Sequence, residues 1–169
     1  MPLTTNALPS TPVSFAAPFD AQFAFLSTPT AFTATGFLPG SPVTLDLGGA
    51  NPSSSAGRTD GLWALNISAM DFVNGDETYR LSLCGSNDAA FANGNVDLLA
   101  FQDFAAASAG RIVPTVMGAS LAAPTTCFLP FVNTKQKLIY RFVRLHLTVG
   151  GTTPSITLMS WLSFDGVAI

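Results

Sequence analysis

Side chains able to do chemistry are few in these 169 residues, and their spacing limits what they can do. His146 is the only histidine. It lies in Arg141-Phe142-Val143-Arg144-Leu145-His146-Leu147-Thr148-Val149, a run that alternates as a strand does. A hydrolytic triad needs a base beside a nucleophile, and a metal centre needs several ligands. With no second histidine and no Cys-x-x-Cys, no catalytic residue, metal or cofactor is expected. Next to Arg144, His146 is expected to serve a surface or an interface. Asp71, Asp76 and Glu77 share one short polar stretch, but without EF-hand spacing a solvated turn is expected there rather than a Ca²⁺ site. Asp88, in the turn-forming run Gly85-Ser86-Asn87-Asp88, is expected to accept hydrogen bonds from its own turn. Cys84 and Cys127 allow one disulfide at most. No basic residue precedes an apolar run near the N-terminus, so no export signal is read and both thiols are expected to stay reduced. Asn66-Ile67-Ser68 has the form of a glycosylation acceptor but lies inside a predicted strand and is discounted.

The elements that position His146 and its neighbours are two alternating runs, between Leu138 and Phe164, joined at Gly150-Gly151. In the first, Val143, Leu145, Leu147 and Val149 share one face, and Phe142, Arg144, His146 and Thr148 share the other. In the second, Ile156, Leu158, Leu162 and Phe164 oppose Thr157, Met159, Trp161 and Ser163. Glycines and small polar residues between the runs predict a hairpin. In that arrangement Phe142, Arg144, His146, Met159 and Trp161 form one patch roughly 10 Å wide. These residue types are enriched at interface cores. The other reading is that the chain's own N-terminal segment covers this face. Arg141 falls in phase with Val143 and Leu145 and therefore needs a carboxylate partner at the strand's end, which the sequence does not identify.

Composition gives the same picture. Hydrophobic residues make up 48% and charged residues 10%, against about 25% charged in ordinary soluble domains. Prolines, glycines and threonines interrupt the long uncharged runs, so neither is a membrane span, and apolar surface is expected to be buried against other subunits. A net charge of -3 with no basic cluster argues against nucleic acid. Residues 1–40 carry six prolines that forbid a continuous helix, together with Phe15, Phe19, Phe23, Phe25, Phe32 and Phe37. Two readings stand for this stretch: edge segments on the chain's own sheets, or an arm lying along a neighbouring subunit.

Residues 41–169 read as a single β-domain. Short strands are predicted at 43–47, 63–69, 79–83, 96–104, 111–116 (interrupted by Pro114) and 126–132, with a helical turn suggested by the alanines of 105–110. Eight or nine strands with closely spaced turns and little helical periodicity predict an all-β, jelly-roll-like two-sheet β-sandwich with a Pro/Phe-rich N-terminal arm.

Three segments carry a family resemblance. Tyr79-Arg80-Leu81-Ser82-Leu83-Cys84-Gly85-Ser86-Asn87-Asp88-Ala89-Ala90-Phe91 resembles the strand and Ser-x-Asp-x-x-Phe turn of bacteriophage capsid cement (decoration) proteins. Tyr140–Gly151 looks like that family's penultimate strand, closed by Thr148-Val149-Gly150-Gly151, and Val43–Gly48 resembles its opening strand. The similarity spans roughly residues 42–163, while the first 40 residues depart from the family. The resemblance implies a virion protein on the capsid exterior, assembled in the host cytoplasm, that binds the major capsid protein and staples neighbouring shell subunits. It also implies a homodimer or homotrimer. No nucleic acid or membrane partner is expected, and no enzymatic step. A carbohydrate-binding or tail-fibre jelly roll is the alternative; it needs exposed aromatics beside Asp and Asn, and Trp63 and Trp161 are the only tryptophans. A shell subunit proper is less well matched, since the chain lacks the length and helices of the common phage shell fold.

Overall fold

Alternation leaves each strand with one face that must leave water, so strands pair into sheets and the sheets stack on their apolar faces. The computed structural model describes residues 19, 21–39, 43–48, 57–92, 96–106, 109, 115–117 and 125–164. These form a two-sheet, jelly-roll-like β-sandwich. After a 3-10 turn at Ala21–Phe23 come β1 (Ala24–Phe32), β2 (Gly36–Leu38), β3 (Leu45–Asp46), β4 (Asp60–Met70), β5 (Thr78–Ser86) and β6 (Asp97–Ala106). They are followed by β7 (Thr115–Met117), β8 (Thr125–Val132), β9 (Thr134–Lys135), β10 (Leu138–Ile139), β11 (Phe142–Gly150) and β12 (Ile156–Ser163). One sheet has the order β1-β12-β4-β8. The other runs β2-β11-β5-β6-β7, with β3 also paired to β11. All these pairings are antiparallel except the parallel β6–β7 pair.

The core lies between the sheets. Trp63, Leu65 and Ile67 of β4 and Ile156, Leu158 and Leu162 of β12 join Tyr79, Leu81 and Leu83 of β5 and Val143, Leu145 and Leu147 of β11 in one cluster, all fully buried. Burying each such side chain is worth about 1.5–3 kcal/mol. Two polar groups at the core, on Trp63 and Tyr79, are satisfied locally. Trp63 Nε1–H donates to the Ser160 hydroxyl at 2.9 Å. The Tyr79 hydroxyl donates to the Asp71 carbonyl at 2.6 Å and accepts from Ser155 N–H at 3.0 Å. Burial pushes the Tyr79 phenol up to about 12.

β11 and β12 do not form the predicted hairpin. β11 pairs with β5, β2 and β3, whereas β12 pairs with β4 and β1 in the opposite sheet. Five residues, 151–155, connect them, and at about 3.3 Å each they easily cross the roughly 10 Å between stacked sheets. Crossing lets the apolar faces of the two strands cover each other, whereas a hairpin would leave both on the same side. The crossover is fastened to the 71–77 turn. Asp76 accepts from the backbone N–H and hydroxyl of Thr152, both at 2.9 Å, which holds its carboxyl below the usual range. Asn74 Nδ2 donates to the Thr152 carbonyl at 2.9 Å and to the Thr153 hydroxyl at 3.1 Å. Gly151 adopts φ +94°, and a Cβ there would lie 2.6 Å from the Asp76 carbonyl oxygen.

Other local expectations shift for stated reasons. A bulge opposite Thr157/Leu158 breaks the alternation of β4, so Met70 is buried and Ala69 exposed. Ala105 and Ala106, in the run whose alanines suggest a helical turn, instead continue β6 as a strand, Ala105 paired with β5 and both paired with β7. The acidic turn is only partly solvated: Glu77 is fully buried and accepts from the backbone N–H groups of Asn74 (2.8 Å) and Gly75 (2.9 Å). Residues 24–38 are edge strands of this chain's own two sheets, with Phe25, Leu26 and Leu38 in its core. For that stretch the arm along a neighbour gives way to the edge reading. Phe15, and the rest of 1–18, lie outside the described residues, as do residues 111–114 of the strand predicted at 111–116, whose last two residues fall in β7.

Candidate functional site

Because β11 and β12 belong to different sheets, the single aromatic and cationic patch divides into two outer faces. Phe142, Arg144 and His146 project from the six-stranded sheet, and Met159 and Trp161 from the four-stranded one.

On the six-stranded sheet, register builds the site. Phe142, Arg144 and His146 of β11 sit opposite Ser86, Cys84 and Ser82 of β5, and Cys84 and Ser82 in turn sit opposite Leu98 and Phe101 of β6. A line of small, buried side chains therefore runs between two lines of large ones, about two strand spacings or roughly 10 Å apart. Leu98 and Phe101 are 39% and 46% exposed, while Phe142, Arg144 and His146 are half-buried. A bulge between Leu83 and Cys84 sets Leu98 outward.

The cations of this face are committed to the chain itself. Arg144 donates from Nε to the Thr44 hydroxyl at 2.6 Å, from Nη2 to the Ala89 carbonyl at 2.9 Å and from Nη1 to the Ala90 carbonyl at 3.1 Å. Its guanidinium lies 4.7 Å from the Phe91 ring centre and 5.9 Å from that of Phe37. Phe37 meets His146 edge-on at 5.0 Å and Phe91 at 5.6 Å. Burial lowers the His146 pKa, favouring the neutral ring. Arg80 forks onto Asp103 with two 2.7 Å hydrogen bonds and stands 4.9 Å from the Phe101 ring. Arg141, just before β11, finds its carboxylate in Asp46, with hydrogen bonds of 2.8 and 2.7 Å that depress the Asp46 pKa. Asp88 accepts from Ala90 N–H at 2.9 Å and Ala92 N–H at 3.0 Å, closing the turn that presents Phe91.

The remaining expected site residues are more scattered. Trp161 is only 8% exposed and meets Phe19 edge-on at 5.5 Å, with Phe19 itself 47% exposed. Met159 is half-buried beside it on the same outer face. Phe23 packs edge-on against Phe164 at 4.7 Å, partly buried at the margin of the core, and Phe25 is buried within the core. Leu98, Phe101, Phe37 and Phe91 were not singled out as site residues. The alternation of the predicted strand at 96–104 is a signal for Phe101, whereas the bulge hides Leu98.

Both cysteines are unbridged. Cys84 is buried, which pushes its thiol up to about 11, and burial also raises Cys127. Among the described residues no group of three or more His, Cys, Asp or Glu is placed to hold a metal ion, and no helix is long and apolar enough to cross a membrane. Comparison with protein-family models, curated proteins and solved structures finds no match for this chain.

Proposed function

We propose that the chain is a structural virion protein, a capsid cement protein that binds the outside of an icosahedral phage shell and staples neighbouring subunits of the major capsid protein. The observation that carries this reading is the outer face of the six-stranded sheet, where Phe142, Leu98 and Phe101 flank small side chains. Aromatic and arginine side chains around a desolvated strip match the composition of interface cores rather than that of a hydrated surface. The resemblance of the 79–91 and 140–151 segments to cement proteins supplies the partner. The chemistry needed is burial of apolar surface, with no bond made or broken.

The test is co-sedimentation with phage shells that lack the protein, comparing wild type with Phe101→Ser. Phe101 is exposed enough for the fold to survive its loss, so circular dichroism should be unchanged while bound protein falls at least tenfold. Equal binding by both proteins would remove this face from the reading. Absence of wild-type binding, with selective capture on a glycan array, would favour the carbohydrate-binding alternative.

A further inference from the structure

The turn that fastens the β11–β12 crossover contains a chemically labile pair. Asn74 is followed by Gly75, and Asn74 is exposed to water. In an unrestrained Asn-Gly pair the glycine nitrogen, having lost its proton, attacks the asparagine side-chain carbon Cγ. The new N–C bond closes a five-membered succinimide, the Cγ–Nδ2 bond breaks, and ammonia leaves with the proton. Water then opens the ring at either carbonyl, giving aspartate or isoaspartate. Glycine hinders this closure least, because it carries no Cβ. Either product would undo the fastening. Asn74 Nδ2 donates to the Thr152 carbonyl and to the Thr153 hydroxyl. A carboxylate oxygen has no proton to donate to that carbonyl, and it would add like charge beside Asp76 and Glu77.

The surrounding contacts oppose the first step. Glu77 is fully buried, and its two carboxylate oxygens accept from the backbone N–H groups of Asn74 at 2.8 Å and Gly75 at 2.9 Å. The proton that must leave is therefore held by a carboxylate. The anion left on the Gly75 nitrogen would stand 2.9 Å from a negative oxygen shielded from solvent, which disfavours it. The same N–H is shared with the Phe72 carbonyl at 3.2 Å. The two hydrogen bonds from Nδ2 hold the Asn74 side chain against the crossover, so Cγ is not free to swing onto the Gly75 nitrogen. We propose that Asn74–Gly75 is a latent deamidation site, and that Glu77 guards it by holding the Gly75 N–H, which keeps the crossover fastened as the protein ages.

The test follows conversion of Asn74 to aspartate and isoaspartate during long incubation in mildly alkaline buffer, by peptide mapping of the full-length chain, folded and in urea. The folded chain should convert at no more than about one-tenth of the unfolded rate. Amide hydrogen exchange removes the same proton, so by NMR the Gly75 amide should exchange about tenfold slower, or more, than in an unstructured chain. Glu77→Gln keeps the side chain's size and removes its charge; where circular dichroism shows this variant folded, Asn74 should convert severalfold faster than in wild type. Equal conversion in folded and unfolded wild type would overturn the proposal. So would a Gly75 amide exchanging at the unstructured rate, or a folded Glu77→Gln chain converting no faster than wild type. Should Glu77→Gln not fold, the two wild-type measurements decide the matter.

Discussion

Replacing Arg144 with alanine removes a fastener that joins four separate segments. Its guanidinium holds Thr44 ahead of β3, the Ala89 and Ala90 carbonyls of the turn after β5, and the rings of Phe37 and Phe91. Three hydrogen bonds at about 1 kcal/mol net each, with a cation–π contact of about 0.5–1 kcal/mol, sum to about 3.5–4 kcal/mol. The two alanine carbonyls are near solvent and regain water once the side chain is gone, which offsets about half. The expected loss for Arg144→Ala is therefore about 2 kcal/mol. With a urea dependence of about 2 kcal/mol per molar, the unfolding midpoint should fall by about 1 M. Arg144→Lys keeps the charge but not the planar fork, and should recover less than half of the loss. The assay is urea unfolding followed by circular dichroism on both variants. An Arg144→Ala midpoint within about 0.2 M of wild type would refute the fastening role and return Arg144 to the pool of side chains free for a partner.

Three further outcomes follow from the geometry. Gly151→Ala sets a Cβ 2.6 Å from the Asp76 carbonyl oxygen at a φ of +94°, and should cost about 2 kcal/mol or more of unfolding free energy in the same assay. Native-state alkylation should leave Cys84 unlabelled at neutral pH, its thiol being buried and pushed up to about 11; mass spectrometry of the unreduced, unfolded chain should then show two labels, and a mass two hydrogens lower with none would contradict the unbridged state. Asp46, Asp76 and Asp97 have folded pKa values below the ordinary carboxylate value, Asp97 through hydrogen bonds from the Tyr140 hydroxyl and Lys135. Their stabilisation is complete above the unfolded value of about 4 and is lost as pH falls through the lower folded values, so unfolding midpoints should drop below pH 4 and drop less steeply in Asp97→Asn.

Alternation made much of this legible. The two faces of β11 were readable because Val143, Leu145 and Leu147 interrupt Phe142, Arg144 and His146 with period two, and the same holds for Tyr79, Leu81 and Leu83 in β5. What period two does not encode is which strands become neighbours. The run after Gly150 reads as a turn in either arrangement, and only the need to bury two apolar faces against each other separates a crossover from a hairpin. Long-range partners were equally hidden. Arg141 and Asp46 are 95 positions apart, so the need for a carboxylate was visible but its identity was not. The bulges in β4 and β6 shifted Met70 and Leu98 off the simple alternation for the same reason: an extra residue in one strand is set by its partner.

Electron cryo-microscopy of the purified virion, with this chain traced in the density, tests the cement reading most directly. The expected density is a β-sandwich on the outer surface, seated across a boundary between capsid subunits, with the Phe142, Leu98 and Phe101 face of the six-stranded sheet buried against the shell. A virion in which the sandwich lies inside the shell, forms the shell itself, or occupies only a tail fibre would contradict it.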